Sequence, residues 1–286
     1  AGREMTGIND VELHYGAATD VGLVREVNED SFLADPPVFV VADGMGGHDR
    51  GDVASRIVVE EFGRLAVDGY DPAKGADAVA ATFAAVQHRI LAFDEEQRAA
   101  GAGNTFSAGT TAVVAVLVED EAGPRWLLAN VGDSRIYRLV GRDLEQVSTD
   151  HSLVQELLEA GRIGADAMAE HPGRNVITRA LGGAGLPGGV SGEADYFLLP
   201  LAGAERLLLC SDGVNAMIDD AQIAEILNTC EDPRDAADGL VAAAVSAGGR
   251  DNATAVVIDV VGLSQEQPYD SDAQRVSLEQ KLGALP

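Results

Sequence analysis

Carboxylates at the ends of apolar, strand-like runs constrain this chain more than any other feature. Asp43 and Asp212 each follow an apolar run, and Asp251 shortly precedes one. A carboxylate at the tip of a buried strand is poorly solvated, and several that converge repel one another unless a cation lies between them. The acids fall in four clusters, at 25–30 (REVNED), 42–47 (ADGMGG), 211–213 (SDG) and 250–252 (RDN).

These ligand types also indicate which metal would be held. Carboxylate oxygens without a His or Cys cluster favour magnesium or manganese over zinc. The four clusters therefore predict a metal site built for chemistry on a phosphate.

The order of helical and strand-like segments predicts the fold class. Apolar residues recur every three or four positions in two pairs of segments, 52–65 with 76–98 and 220–228 with 234–246. Strand-like segments come in consecutive runs between these pairs, which favours an α+β protein with stacked antiparallel sheets over a parallel βαβ sheet. Strands are predicted at 11–15, 31–34, 38–41, 110–118, 126–131, 135–140, 195–199, 206–210 and 253–261.

Two further segments differ in composition from these elements. Residues 161–174 follow a short predicted helix at 152–160, and they are polar and interrupted by Gly and Pro, as in a mobile excursion. From Gly262 to the last residue the sequence is polar and poor in apolar residues, which predicts a tail or linker over 262–286.

Charge and composition limit the kinds of partner and the compartment expected for this protein. The formal net charge is −27, so nucleic acid and anionic membranes are disfavoured, and any phosphate site must be made locally positive by metal ions and an arginine. The sequence contains no apolar stretch of membrane-spanning length and does not open with a signal peptide. Two cysteines cannot form a disulfide framework, which favours a reducing, cytoplasmic setting.

Taken alone, two of the clusters leave more than one interpretation. In the first, Glu29 or Asp30 could ligate a metal and the planar fork of Arg25 could bind phosphate oxygens, or the segment could be a surface loop with a solvated salt bridge. In the second, glycines could form a tight turn that exposes Asp43 and the Gly44 carbonyl, or an ordinary turn. A nucleotide-binding loop is excluded, because neither the G-x-G-x-x-G register nor a P-loop lysine is present.

Taken together and in order, these segments resemble the metal-dependent serine/threonine protein phosphatases of type 2C (the PPM family) in their bacterial form. The resemblance covers roughly residues 11–261. It is carried by 25–31 (REVNEDS), 41–48 (VADGMGGH), 109–111 (GTT), 130–135 (NVGDSR), 175–182 (NVITRALG), 210–213 (CSDG) and 251–254 (DNAT).

The resemblance implies a four-layer α/β/β/α sandwich, in which two stacked antiparallel β-sheets are flanked by helix pairs and the metal site lies in a cleft at one end. It implies a catalytic domain over 11–261, followed by the tail at 262–286. Residues of about 152–175 correspond to the flap that bacterial relatives carry beside the active site, where it is expected to affect substrate choice.

The resemblance also implies the ligands of two core ions, either Mn²⁺ or Mg²⁺. Asp43, Asp212 and Asp251 would ligate one ion. Asp43 and the Gly44 carbonyl would serve the other, which Glu29 would hold through water.

Further positions carry supporting roles in the family. Asp133, with Asp212, matches the acids that hold a third ion in bacterial relatives. Asp30 and Asn252 would hold the metal ligands in position without touching the metal, and Arg25 would bind the phosphoryl group. Arg25, Asp43 and Asp212 are thus the expected catalytic residues.

The expected reaction is hydrolysis of phosphoserine and phosphothreonine monoesters. A hydroxide that bridges two metal ions attacks phosphorus in line, without a covalent enzyme intermediate. Many eukaryotic relatives place a histidine where this chain has Met45, which cannot donate a proton to the leaving alkoxide. A metal-bound water is the favoured donor, ahead of His48, His151 and His171, for which structural or surface roles are preferred.

Other phosphatase chemistries require residues at other positions. A cysteine-based phosphatase needs an arginine six residues after its cysteine, but Ala216 and Ala236 follow Cys210 and Cys230 at that distance, and no G-x-S-x-G elbow is present. A non-catalytic phosphoprotein-binding module and a two-metal phosphodiesterase stay as alternatives. The expected protein is a monomeric signalling hydrolase that acts beside serine/threonine kinases and on their phosphorylated substrates.

Overall fold

The computed structural model describes residues 7–45, 50–67, 69–168, 170–183 and 192–263. Within these ranges the chain forms strands β1 Val11–Asp20, β2 Asp30–Asp35, β3 Val38–Met45, β4 Gly109–Thr110, β5 Ala112–Asp120, β6 Gly123–Val131, β7 Arg135–Val140, β8 Asp143–Gln146, β9 Leu181–Gly182, β10 Asp195–Pro200, β11 Glu205–Cys210 and β12 Ala253–Leu263. The helices are α1 Gly51–Val67, α2 Gly75–Ala99, α3 Leu153–Glu159, α4 Asp212–Asn215, α5 Asp220–Thr229 and α6 Pro233–Ser246.

The strands form two antiparallel sheets. One sheet has five strands in the order β1-β12-β11-β7-β8, so the first and last strands of the fold are neighbours. The other has seven strands, in the order β10-β6-β5-β3-β4-β9 with β2 also paired to β3. The pairing of β1 with β12 thus joins the two ends of the domain in one sheet.

Three layers of apolar side chains hold the sheets and helices together. Between the sheets, Phe39 and Trp126 of one sheet meet Leu207 of the other, and all three are fully buried. Burial of one such side chain contributes about 2 kcal/mol. On the outer faces, α1 and α2 cover the seven-stranded sheet, and α4, α5 and α6 cover the five-stranded sheet. The predicted α/β/β/α sandwich is confirmed.

Several local predictions differ from the structure. Helix α1 begins at Gly51, one residue before the predicted segment 52–65, and Asp52 lies in its first turn. Strand β3 continues to Met45, so Asp43 and Gly44 are strand residues and not part of a tight turn, and Gly46, Gly47 and His48 lie outside the described residues. Strand β12 continues through Gly262 to Leu263, and the remainder of the predicted tail also lies outside them.

Within the described ranges, none of the helices has both the length and the apolar character needed to cross a bilayer.

Candidate metal centre

The predicted acids of both sheets lie at one edge of the sandwich. Asp30 opens β2 and stands opposite Asp43, near the end of β3. Asp133 lies in the turn between β6 and β7, Asp212 follows β11 as the first residue of α4, and Asp251 lies two residues before the start of β12. Antiparallel pairing places these strand ends at the same edge, because one strand begins where its neighbour ends.

Asp43 is at the electrostatic centre of this group. Burial raises the pKa of Asp43 well above its ordinary value, and the negative charges of Asp30, Asp212, Asp133 and Asp251 raise it further. A carboxylate freely exposed to water would show no such effect, so the Asp43 carboxyl lies in a poorly solvated space close to the other acids.

Asp212 and Asp133 show the same pattern. Burial is the largest cause that raises the pKa of each, and Asp251 adds to it for Asp212, as Asp212 does for Asp133. The neighbouring Asp43 carboxyl opposes the rise for Asp212.

Asp30 connects the two sheets behind this group. Its Oδ2 accepts hydrogen bonds from Ser211 Oγ at 2.7 Å and from Thr254 Oγ1 at 2.6 Å. Burial, opposed by these two bonds, raises the pKa of Asp30 to about 7. Ser211 and Thr254 received no role in the sequence analysis, although each lies within a quoted motif, and a hydroxyl residue beside or near an acid was the available signal.

Arg25 provides positive charge at the rim. Its Nη2 donates to Asp251 Oδ2 at 2.7 Å, and about half of its side chain, 48%, is exposed. That hydrogen bond and the charges of Asp251, Glu29 and Asp43 raise the pKa of Arg25 against the opposing effect of burial. The guanidinium therefore faces the acidic group while part of it is open to solvent.

Glu29 and Gly44 are held side by side. The Glu29 carbonyl accepts from Gly44 N at 3.2 Å and from Ser55 Oγ at 2.6 Å. A β-carbon on Gly44 would overlap the backbone of Glu29 and of Gly51, so glycine is required for this approach. Burial raises the pKa of the Glu29 carboxyl, and the charge of Arg25 opposes that rise.

Asn252 fixes the loop that carries Arg25 and Glu29. Its Oδ1 accepts from Glu29 N at 2.8 Å, and its Nδ2 donates to the carbonyls of Val21 and Val27, both at 3.0 Å. All the side-chain bonds of this buried amide thus go to one loop, 223 or more residues away in the sequence. The predicted supporting residue is placed to set the position of the loop.

Among the residues that the structure describes, His151, His171 and Cys210 are engaged within the protein or buried. His151 is buried, with Nδ1 bonded to Gly132 N and Nε2 to Asp195. His171 Nδ1 accepts from Gly173 N at 3.0 Å. Burial raises the pKa of the Cys210 thiol to about 12, so this cysteine is not a reactive thiolate.

Two observations test whether divalent cations fit these residues. Asp133 Oδ1 and Asp212 Oδ1 are buried without a hydrogen-bond partner in the described part of the chain. Buried oxygens of this kind, in carboxylates that raise one another's pKa, suit a hard cation. Conversely, no three His, Cys, Asp or Glu side chains among the described residues form a group that could by themselves hold an ion as they stand.

The chemistry of the donor set fits, because the partnerless carboxylate oxygens of Asp133 and Asp212 are the hard donors that Mn²⁺ and Mg²⁺ prefer.

Comparison with known proteins gives the same family. The family model described as Protein phosphatase 2C matches residues 23–253. The serine/threonine phosphatase stp of Listeria monocytogenes (serotype 4b, strain F2365) is 35% identical over 259 residues, which cover 86% of this chain and 96% of that protein.

A second relative is the serine/threonine protein phosphatase PstP of Mycobacterium tuberculosis (strain H37Rv), 36% identical over 278 residues. The match covers 96% of this chain and 50% of PstP. The crystal structure of the M. tuberculosis phosphatase PstP/Ppp has a TM-score of 0.76 and 34% identity, with 88% of this chain and 100% of that chain covered.

A further solved structure is the catalytic domain of PstP in complex with two manganese ions, with a TM-score of 0.69 and 34% identity over 88% of this chain and 99% of that one. The family model, the two relatives and the shared sandwich all agree with the motifs in the sequence, and the chain belongs to the protein phosphatase 2C family.

Proposed function

We propose that this chain is a protein serine/threonine phosphatase that hydrolyses phosphoserine and phosphothreonine monoesters with the help of divalent metal ions. The observation that carries the proposal is the set of aspartates around Asp43, whose charges raise its pKa and which a cation would stabilise. Membership of the protein phosphatase 2C family supports it independently. Neither the binding-module nor the phosphodiesterase alternative is favoured.

The residues at the sandwich edge would hold the ions. Asp43, Asp212 and Asp251 would ligate one core ion, and Asp43, the Gly44 carbonyl and, through water, Glu29 would serve the other. Asp133 would join Asp212 at a third ion. When bound, Mn²⁺ or Mg²⁺ lowers the pKa of a ligated water by several units and neutralises phosphate charge.

Arg25 would orient the phosphoryl group. Its guanidinium has five N–H donors in a planar fork, and the bond to Asp251 uses a donor on Nη2. The exposed remainder of the fork suits bidentate bonding to two phosphate oxygens. Asp251 then fixes the direction in which the fork points.

Water would protonate the leaving alkoxide. Met45 follows Gly44 at the end of β3 and carries no exchangeable proton. Both ring nitrogens of His151 are engaged within the protein. The serine or threonine product would therefore take its proton from solvent in the cleft.

The catalytic domain, expected over residues 11–261, would extend to Leu263, which still pairs with Val11, with the flap at about 152–175 and the tail beginning after Leu263. The extension of β12 to Leu263 supports a boundary just beyond its last paired residues. The match to only half of PstP is compatible with a catalytic domain inside a longer protein.

The setting would be cytoplasmic, and the partners would be phosphorylated proteins and the serine/threonine kinases that produce them. The free thiols of Cys210 and Cys230 suit a reducing compartment. The net charge of −27 disfavours nucleic acid as a partner, and we expect a monomer.

Hydrolysis of p-nitrophenyl phosphate and of bis(p-nitrophenyl) phosphate tests the proposal against the diester alternative. With manganese present, we expect turnover of the monoester and of a phosphothreonine peptide, with loss of both on addition of EDTA. Preferred hydrolysis of the diester, or peptide binding without turnover by folded, manganese-loaded protein, would refute it.

A further inference from the structure

A buried histidine holds the peptide unit that precedes Asp133. Gly132 N donates to His151 Nδ1 at 3.0 Å, and Gly132 has φ +110°, in the region that glycine alone adopts readily. A backbone N–H is only a donor, so Nδ1 is unprotonated and Nε2 carries the hydrogen. The Gly132 N–H thus requires this tautomer of the imidazole, and the imidazole in turn holds the turn at Gly132.

The other ring nitrogen, Nε2, binds Asp195, which is itself paired with Arg179. Nε2 donates to Asp195 Oδ2 at 3.0 Å, and Asp195 Oδ1 accepts from Arg179 Nη1 at 2.7 Å. His151 is only 5% exposed, which limits competition from water. Three consecutive hydrogen bonds therefore connect the partly exposed guanidinium of Arg179 to the Asp133 turn.

The same histidine lies at the base of the predicted flap. The His151 carbonyl accepts from Thr178 N and its own N–H donates to the Gly132 carbonyl, both at 2.9 Å. One residue further, Ser152 forms a β-bridge with Ile177. The two ends of the flap are thus joined at the residue whose side chain also binds the Asp133 turn.

The Asp133 turn shows a second sign that its carboxylate is positioned for a ligand. Asp133 Oδ1 is buried and has no hydrogen-bond partner in the part of the chain that the structure describes. The adjacent peptide is fixed from a second direction, because Asn130 Nδ2 donates to the Gly132 carbonyl at 3.2 Å and to the Thr149 carbonyl at 2.9 Å.

We propose that His151 is a positioning residue, which holds the Gly132–Asp133 peptide so that Asp133 can ligate a divalent cation together with Asp212. The inference rests on the proposed function, since it concerns the third ion of that site. Groups that orient metal ligands without touching the metal change its affinity by about 10–100-fold when they are removed. Asp195 and Arg179 act one step further away, by fixing the imidazole.

Two substitutions of His151 distinguish the hydrogen bond made by Nδ1 from the one made by Nε2. In His151→Asn, Oδ1 can take the place of Nδ1 and accept from Gly132 N, but the side chain no longer reaches Asp195. In His151→Gln, the amide can reach Asp195, but no acceptor remains at the Nδ1 position. His171→Gln is the matched control, because His171 Nδ1 also accepts a backbone N–H, that of Gly173, within the flap.

The measurement is a manganese titration of each folded protein, followed by electron paramagnetic resonance of free Mn²⁺, with Asp133→Asn as the reference for a lost third site. We expect two tight sites in every protein and a weaker one, absent in Asp133→Asn. The weaker site should lose about 10-fold in affinity in His151→Gln, and it should stay near wild type in His151→Asn and His171→Gln. Melting temperatures in EDTA control for folding.

Equal third-site affinity in the two His151 variants would overturn the inference. So would a wild-type protein with two tight sites and no weaker site sensitive to Asp133→Asn, although it would leave the two-ion phosphatase intact. A folded protein that bound no manganese and hydrolysed no phosphomonoester would overturn both the inference and the proposed function.

Discussion

Asp43 shows how a single residue can be made dependent on a cation. Its backbone is held by Thr111 on one side, because its N–H donates to Thr111 Oγ1 at 3.1 Å and its carbonyl accepts from Thr111 N at 2.9 Å. On the other side Asp43 stands opposite Asp30 in the sheet, which places its carboxyl group among the other aspartates. Protonation or a bound cation are therefore the two ways in which the fold can accommodate it.

Arg25 is expected to act on the phosphoryl group and not on the fold. Arg25→Ala should lower kcat/KM for a phosphothreonine peptide by about 10²-fold, because a preorganised donor to the phosphate is lost. Arg25→Lys should recover only part of this, since an ammonium cannot bind two oxygens in a fork. Arg56→Ala is the control, because Arg56 is an exposed partner of Asp52 on α1. Loss of activity in the control alone would contradict this assignment.

Asp30 gives metal-free protein a characteristic pH dependence. Its folded pKa of about 7 lies above the value of about 3.9 in an unfolded chain. Its stabilising contribution is therefore complete below about pH 4 and is lost as the pH rises through about 7. In EDTA, the melting temperature should fall between about pH 4 and pH 7, and Asp30→Asn should make that fall shallower. An unchanged slope in the variant would exclude Asp30 as a cause.

At the scale of elements, the sequence pattern could not predict the long-range contacts that complete the site. Apolar runs indicated that Asp43, Asp212 and Asp251 lie at strand ends, because a buried strand has a recognisable composition. The pairing of Arg25 with Asp251 spans 226 residues and depends on the path of a loop. Strands β4 and β9 have two residues each, too few for any periodicity to show.

Arg206 joins three elements, and its loss should destabilise the fold without altering the chemistry. Its guanidinium pairs with both carboxylate oxygens of Asp259 on β12, at 2.6 and 2.7 Å. It also donates to the carbonyls of Leu227, Cys230 and Glu231 around the end of α5. Arg206→Met leaves a largely buried carboxylate and these carbonyls unpaired, so we expect a loss of about 3 kcal/mol in the free energy of unfolding.

Urea unfolding measures this difference, and Arg234→Met provides the control, because the pair of Arg234 with Asp232 is exposed. The control should unfold at the wild-type urea concentration. Equal destabilisation by both substitutions, or kcat lowered in folded Arg206→Met, would show that the role of Arg206 is different.

At the scale of the whole molecule, two sheets bring together at one edge acids that are up to 221 residues apart, from Asp30 to Asp251. The layer order and most elements could be predicted, because helix pairs and runs of strands differ in hydrophobic period. The His151–Asp195–Arg179 network could not, because the pairing of a buried histidine depends on tertiary contacts. Its residues lie in β10 and at the two ends of the flap.

The central claim is that the aspartates at this edge work by holding catalytic divalent ions, and Asp212 is the acid expected to touch two ion positions. The most direct test compares wild type and Asp212→Asn in hydrolysis of a phosphothreonine peptide with manganese, with magnesium and with EDTA. We expect metal-dependent turnover by wild type and a loss of about 10³-fold in the variant, with folding intact by circular dichroism. Near wild-type turnover by Asp212→Asn, or turnover that persists in EDTA, would contradict the claim.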